Sequence, residues 1–146
     1  ISKSCNSYFS NVYKRLIEKY PTSQEGMDKW AAHLHSFGLG NYLGYDLPSG
    51  KKGHIPSAAF YDRYYPRKNW RYSTTISNAI GQGEIVTTPI QLANMIAAIA
   101  NRGFYYTPHV LKKINSKSIS NPKLASTDGL FLTHTKNKII GFEIIK

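Results

Sequence analysis

Acyl transfer through a serine needs a base beside the hydroxyl, and the spacing Ser-x-x-Lys supplies one on a helix, where residues three apart share a face. The spacing occurs at Ser49-Gly50-Lys51-Lys52 and at Ser120-Asn121-Pro122-Lys123. The first lies in a Gly-rich turn, where serine and lysine need not converge. The second contains a proline that obstructs the helical turn. Both read as accidental. A third pattern, Ser4-Cys5-Asn6, puts a hydroxyl and an amide immediately before an aromatic-rich segment with Tyr8, Phe9 and Tyr13. Taken alone, it reads as a helix cap made by Ser4 or Asn6.

Other constellations carry less. His33 and His35 stand two apart on a helix and point to different sides, so they do not share a metal. His54, His109 and His134 stand alone in loop-like sequence. Gly81-Gln82-Gly83 lacks the third glycine of a dinucleotide fingerprint. The stretch from Gly44 to Lys51 has one residue too many for a phosphate loop, with Lys52 where Ser or Thr should stand. Cys5 reads as a small buried filler rather than an activated thiol. No cofactor and no metal are expected.

The elements that must position these residues are legible in part. Residues 7–19 read as an amphipathic helix with Phe9, Val12, Tyr13, Leu16 and Ile17 on its apolar stripe, ended by Pro21. Thr22 or Ser23 caps a second helix, with Met27, Trp30, Ala31 and Leu34 inward and Gly38 closing it. Between Leu39 and Tyr72 only Ser57 to Tyr64 reads as helical, capped by Ser57. The segment from Tyr105 to Leu111 reads as an edge strand because of Pro108. Beyond Asn115 no element is expected until a strand-like run from Lys138 to Ile145.

The most informative segment runs from Ile76-Ser77-Asn78-Ala79-Ile80 through Gly81-Gln82-Gly83 to a strand-like Glu84-Ile85-Val86-Thr87. A helix then opens at Thr88-Pro89-Ile90-Gln91-Leu92-Ala93, with Thr88 as N-cap and Pro89 at the first helical position. Gly103 is expected to stop it in the left-handed conformation. Ile90, Ala93, Ala97 and Ala100 fall on one face and Leu92, Ile96 and Ile99 on the adjoining one, so the helix is expected to be buried on most sides. The succession of Gly-Gln-Gly, a short strand and Thr-Pro-Ile-Gln-Leu-Ala resembles the transpeptidase domain of class B penicillin-binding proteins, most of all the penicillin-binding protein 2-like members.

The resemblance covers residues 1–114 and leaves 115–146 as an unassigned tail. It implies an α+β, mainly helical fold, part of a serine transpeptidase (penicillin-binding protein/β-lactamase-like) domain. It also implies a peptidoglycan D,D-transpeptidase that cross-links stem peptides through a serine acyl-enzyme. Such enzymes use three clusters: Ser-x-x-Lys, Ser-x-Asn and Lys-Thr-Gly. Placed ahead of the Gly-Gln-Gly segment in the family's order, Ser4-Cys5-Asn6 becomes the second cluster. Ser4 is then the proton-relay hydroxyl and Asn6 the amide that holds substrate. The family's nucleophile precedes this cluster, and no Lys-Thr-Gly or Lys-Ser-Gly occurs in the chain. The chain is therefore expected to be a fragment, inactive alone. The alternative is a non-catalytic wall-polymer or partner-binding module of the same ancestry.

Composition agrees with a folded domain: 146 residues, 41% of them hydrophobic, are enough for one core. The net charge of +11 invites a nucleic-acid reading. Its lysines and arginines are scattered, however, and no nucleic-acid motif accompanies them, so no nucleic-acid partner is expected. A basic surface also suits anionic wall polymers. No apolar run approaches a membrane span, the longest being Met95 to Ala100. The resemblance implies an extracytoplasmic (periplasmic) domain of a protein anchored in the cytoplasmic membrane. Its implied partners are stem peptides, β-lactams and other cell-wall elongation proteins. In isolation the apolar face of the helix at 88–102 is expected to pair with a second copy, or with the helix at 7–19.

Overall fold

The computed structural model describes residues 3–43 and 50–108, and beyond these the backbone of the strands 113–114, 117–118, 124–125, 131–132 and 136–138. The chain divides into two compact units, residues 1–34 with 54–86 and residues 35–53 with 87–146.

The first unit is helical. Helix α1 spans Asn6–Glu18, α2 spans Ser23–Ser36 and α3 spans Ala58–Tyr64, followed by a 3-10 helix at Ile76–Ile80. The caps follow the sequence: Thr22 Oγ1 accepts from Glu25 N at 3.1 Å, and Ser57 Oγ accepts from Phe60 N at 3.4 Å. Tyr13, Ile17, Met27, Ala58, Tyr61 and Trp70 form the core. Only Tyr13 and Ile17 of the expected α1 stripe are buried, while Val12 and Leu16 are exposed. The inward line of α1 is thus narrower than hydropathy suggests. Helices α1 and α2 meet at Gly26, where an added Cβ would lie 2.4 Å from the Ile17 carbonyl oxygen. The Asp28 carboxylate accepts from Ala58 N at 2.9 Å, fixing the start of α3 to α2.

The segment around Gly-Gln-Gly differs from expectation. The run before it is a 3-10 helix, and in place of a strand at 84–87 there is a single antiparallel bridge between Val86 and His54. Gly81 and Gly83 adopt φ of +72° and +74°, and a Cβ on Gly83 would press to 2.6 Å from Ser77 Oγ. The double reversal uses up the residues a longer strand would need.

In the second unit, α4 spans Pro89–Ala100 with Thr88 at the N-cap. The Gln91 Oε1 accepts from Thr88 N at 2.9 Å, while Gln91 Nε2 donates to the carbonyls of Asn41 (2.7 Å) and Lys52 (2.8 Å). Asn94 Nδ2 donates to the Phe37 carbonyl at 2.9 Å. Gln91, Asn94 and Ala98 are the buried positions of α4. This corrects the expectation of a helix buried on most sides: Ile90, Leu92, Ile96 and Ile99 stand 50%, 46%, 59% and 49% exposed. Within this chain, amides that satisfy loop carbonyls choose the inward side, and the aliphatic face is left over.

The end of α4 carries the expected positive-φ glycine, Gly103 (φ +99°), and Arg102 before it is left-handed as well (φ +59°). Gly103 N donates to the Ala98 carbonyl at 2.9 Å and Arg102 N to the Ile99 carbonyl at 3.0 Å, a Schellman closure. Strand β1 (Phe104–Tyr106) is shorter than the expected 105–111 and pairs antiparallel with β6 (Lys136–Lys138). From Lys113 onward the chain forms elements the sequence did not suggest: β2 (Lys113–Ile114) pairs with β3 (Lys117–Ser118), and β4 (Leu124–Ala125) with β5 (Phe131–Leu132). The strand expected over 138–145 lies, beyond Lys138, outside the described residues.

Candidate functional site

Ser4, Cys5 and Asn6 form the entry to α1, and all three are exposed. Ser4 is in the left-handed region at φ +47°, a conformation that costs a non-glycine residue about 1 kcal/mol or more. Cys5 is extended and occupies the N-cap position, where its side chain makes no cap hydrogen bond. Its carbonyl accepts from Tyr8 N at 3.1 Å and Phe9 N at 3.4 Å, closing the first turn. Asn6 is the first residue of α1. Two readings made from the sequence are corrected here: Cys5 is exposed rather than a buried filler, and the N-cap position belongs to neither Ser4 nor Asn6.

The helix that starts with Asn6 is held from its middle. Tyr13 Oη lies 2.7 Å from Thr75 Oγ1 and 3.5 Å from Met27 Sδ, and its ring meets Trp30 edge-on at 5.5 Å. A second tyrosine extends the buried polar network: Tyr61 Oη donates to Glu84 Oε2 at 2.7 Å and accepts from Asn78 Nδ2 at 2.9 Å. Burial pushes both phenols above their ordinary range, and for Tyr61 the acceptor Glu84 adds to it. These tyrosines are structural anchors that stay protonated. Asp62 is held below the usual carboxylate range, first by the Trp70 indole N–H at 2.8 Å and then by Lys68, 3.4 Å away.

Asn6 opens onto a groove of about 390 Å³ on the first unit, with Ser7, Ser10, Asn11 and Lys14 along α1 and Tyr72 and Ile76 opposite. Lys14 Nζ lies 5.1 Å over the Tyr72 ring. The groove went unnoticed in the sequence, although Ser7, Ser10, Asn11 and Lys14 repeat at helical spacing. Tyr72 and Ile76 are remote from α1 in the chain, and no sequence pattern pairs them with it.

The remaining candidates do not converge. His35 Nδ1 lies 2.8 Å from the Leu39 carbonyl oxygen, and the His54 ring packs tilted by 53° against Phe60, with centroids 4.9 Å apart. Among the described residues no three His, Cys, Asp or Glu side chains gather as a metal site would require. Ser49, His109, Ser120, Lys123 and His134 lie outside the described residues. No described helix is long and apolar enough to cross a membrane.

Residues 1–140 match the family model of the penicillin binding protein transpeptidase domain. The chain is 37% identical over 112 residues to peptidoglycan D,D-transpeptidase MrdA of Acinetobacter baumannii, covering 77% of this chain and 15% of that protein. It also resembles the crystal structure of Pseudomonas aeruginosa PBP2 in complex with WCK 5153, with a TM-score of 0.67 and 31% identity over 84% of this chain and 26% of that one. A third likeness is to a chain from a peptidoglycan synthase complex that coordinates polymerization and crosslinking. There the TM-score is 0.63 at 27% identity, over 93% of this chain and 19% of that one. The chain thus spans a small part of the relatives it matches. Its α+β, mainly helical architecture is that of a partial transpeptidase domain.

Proposed function

We infer the function from one premise: this chain belongs to the penicillin-binding protein transpeptidase family. It is one partial domain of a peptidoglycan D,D-transpeptidase, with residues 115–146 as a tail of unassigned role. Ser4 is the hydroxyl that relays a proton in the acyl transfer, and Asn6 is the amide that grips the substrate backbone. One observation carries this reading: Ser4-Cys5-Asn6 presents its side chains to solvent at the start of an anchored helix, with Ser4 strained and no capping duty to explain it. Strain held at a residue is a mark of a functional position.

The nucleophile and its lysine come from outside this chain, because acyl transfer needs both in one site and no suitable Ser-x-x-Lys is present. The isolated chain is therefore inactive. The whole protein acts on peptide stems, is acylated by β-lactams, works with other cell-wall elongation proteins, and carries this domain outside the cytoplasmic membrane on a membrane anchor. The isolated chain covers the open face of α4 with a second copy. In sedimentation it should then run as a dimer that Ile96→Lys dissociates; a wild-type monomer at high concentration contradicts the pairing.

The test of activity is acylation of the full-length protein by a fluorescent penicillin. Asn6→Ala should slow labelling about 10- to 100-fold, the loss of one or two good hydrogen bonds. Ser4→Ala should slow it by about 100-fold or more, as loss of a proton relay does. A full-length protein that takes no label replaces this reading with a non-catalytic wall-binding module.

A further inference from the structure

We propose that Tyr13 is a positioning residue for the acyl transfer: its hydrogen bond to Thr75 sets the rotation of α1 and so aims Asn6 at the substrate. The inference rests on the assignment of Asn6 as the amide that grips substrate, and adds what holds that amide in place. Tyr13 follows Asn6 by seven residues, about 20° short of two full turns, so the two side chains leave the helix on the same face. The rise between them is about 10 Å at about 1.5 Å per residue. No residue of α1 before Tyr13 is buried, and the groove lined by Asn6, Ser7 and Ser10 lies between that half of the helix and Tyr72 and Ile76. Among the described residues, α1 is therefore clamped from Tyr13 onward and carries Asn6 at its unclamped end.

Of the contacts in that clamp, the one at Tyr13 fixes an angle. Ile17 meets Gly26 by close backbone packing, which sets the spacing of α1 and α2 but has little directional preference. Lys14 reaches over the Tyr72 ring at 5.1 Å on a flexible four-carbon stem. Tyr13 Oη instead lies 2.7 Å from Thr75 Oγ1, a hydrogen bond whose strength depends on direction. Thr75 Oγ1 donates to the Tyr72 carbonyl at 3.2 Å, so it meets the phenol as an acceptor. Tyr13 and Thr75 are 2% and 1% exposed, which keeps water from replacing either partner. Trp30, edge-on to the Tyr13 ring at 5.5 Å, holds the ring itself. The helix with its side chains has a radius of about 5–6 Å, and both side chains reach its rim. A turn of α1 by about 10° moves them by about 1 Å, and a displacement of that size costs up to about 100-fold in rate.

The test is the second-order rate constant for acylation of the full-length protein by a fluorescent penicillin, read beside the fraction of protein that takes label. Tyr13→Phe removes one oxygen and keeps the ring against Trp30. It should lower the rate constant about 3- to 30-fold with the labelled fraction unchanged. Thr75→Val should do the same, and Thr75→Ser, which keeps the hydroxyl, should retain the wild-type rate. The Tyr13→Phe/Thr75→Val pair should be no slower than either single variant, because both remove one bond. Tyr61→Phe takes a buried hydroxyl from the same core, one that bonds Glu84 and Asn78 rather than α1, and should keep the wild-type rate constant. In an Asn6→Ala background, Tyr13→Phe should have no further effect on rate. A wild-type rate constant for Tyr13→Phe while Asn6→Ala is slow overturns the proposal and leaves the assignment of Asn6 standing. A smaller labelled fraction with an unchanged rate constant also overturns it, since a merely structural role does that. So does equal slowing by Tyr61→Phe, or by Tyr13→Phe with and without Asn6. A wild-type rate for Asn6→Ala rejects the assignment of Asn6 itself, and the proposal with it.

Discussion

Gln91 is the residue whose replacement most sharply separates a hydrogen-bonded role from a merely buried one. It is 0% exposed and makes three hydrogen bonds, donating twice and accepting once. Gln91→Leu keeps the volume and removes all three. At about 1 kcal/mol net for each bond, partly offset by the added apolar burial, the expected loss is about 2–3 kcal/mol. Gln91→Glu keeps the shape and the acceptor but turns two donors toward carbonyls into a carboxylate facing them. At neutral pH that variant should be the less stable of the two, because an unpaired buried charge costs several kcal/mol. The introduced carboxyl should have a folded-state pKa above its unfolded value of about 4.3, so its penalty is largest above that folded value. It shrinks as pH falls toward 4, when the protonated form regains one donor. Urea unfolding followed by circular dichroism, at pH 7 and again near pH 4.5, reads both effects. If Gln91→Glu matches the wild type at pH 7, or fails to gain on Gln91→Leu on acidification, the polar-clasp account of α4 is wrong.

Three further outcomes follow from named contacts. Gly26→Ala forces a methyl to 2.4 Å from the Ile17 carbonyl oxygen, so α1 and α2 must separate. A loss of about 2–4 kcal/mol in urea unfolding is expected, against a gain if helix propensity alone decided. Arg102→Gly relieves the left-handed residue at φ +59° and should raise stability by about 0.5–1 kcal/mol. Tyr13 and Tyr61 both have phenol pKa values raised on folding. Their contribution is complete below the unfolded value of about 10 and is lost as pH rises through the folded values. The melting temperature should therefore fall above about pH 10, and Tyr61→Phe should blunt that fall while lowering stability at pH 7.

Local signals carried well where backbone chemistry is local. The caps at Thr22, Ser57 and Thr88, and the ends near Pro21 and Gly38, were readable because each acts within one helical turn. The inward side of α4 was not. Hydropathy favours its isoleucines, but the partners that turn Gln91 and Asn94 inward are carbonyls of Phe37, Asn41 and Lys52, some forty to fifty-seven positions away. No periodicity encodes such a pairing. The strand expected after Gly83 failed for a related reason, since a strand needs a partner and only His54 is supplied. Ser4 and Asn6 were found by pattern and order, whereas the groove beside them joins α1 to Tyr72 and Ile76 across a gap in sequence that pattern reading does not bridge.

The role of Asn6 is tested most directly by the structure of the full-length protein acylated by a β-lactam. The account expects the Asn6 side-chain amide within about 3 Å of the amide of the bound drug, with Ser4 Oγ in hydrogen-bond reach of the acylated serine's base. An acyl-enzyme in which Asn6 points away from the drug, with another residue holding its amide, would contradict the assignment of the entry to α1 as part of the catalytic site.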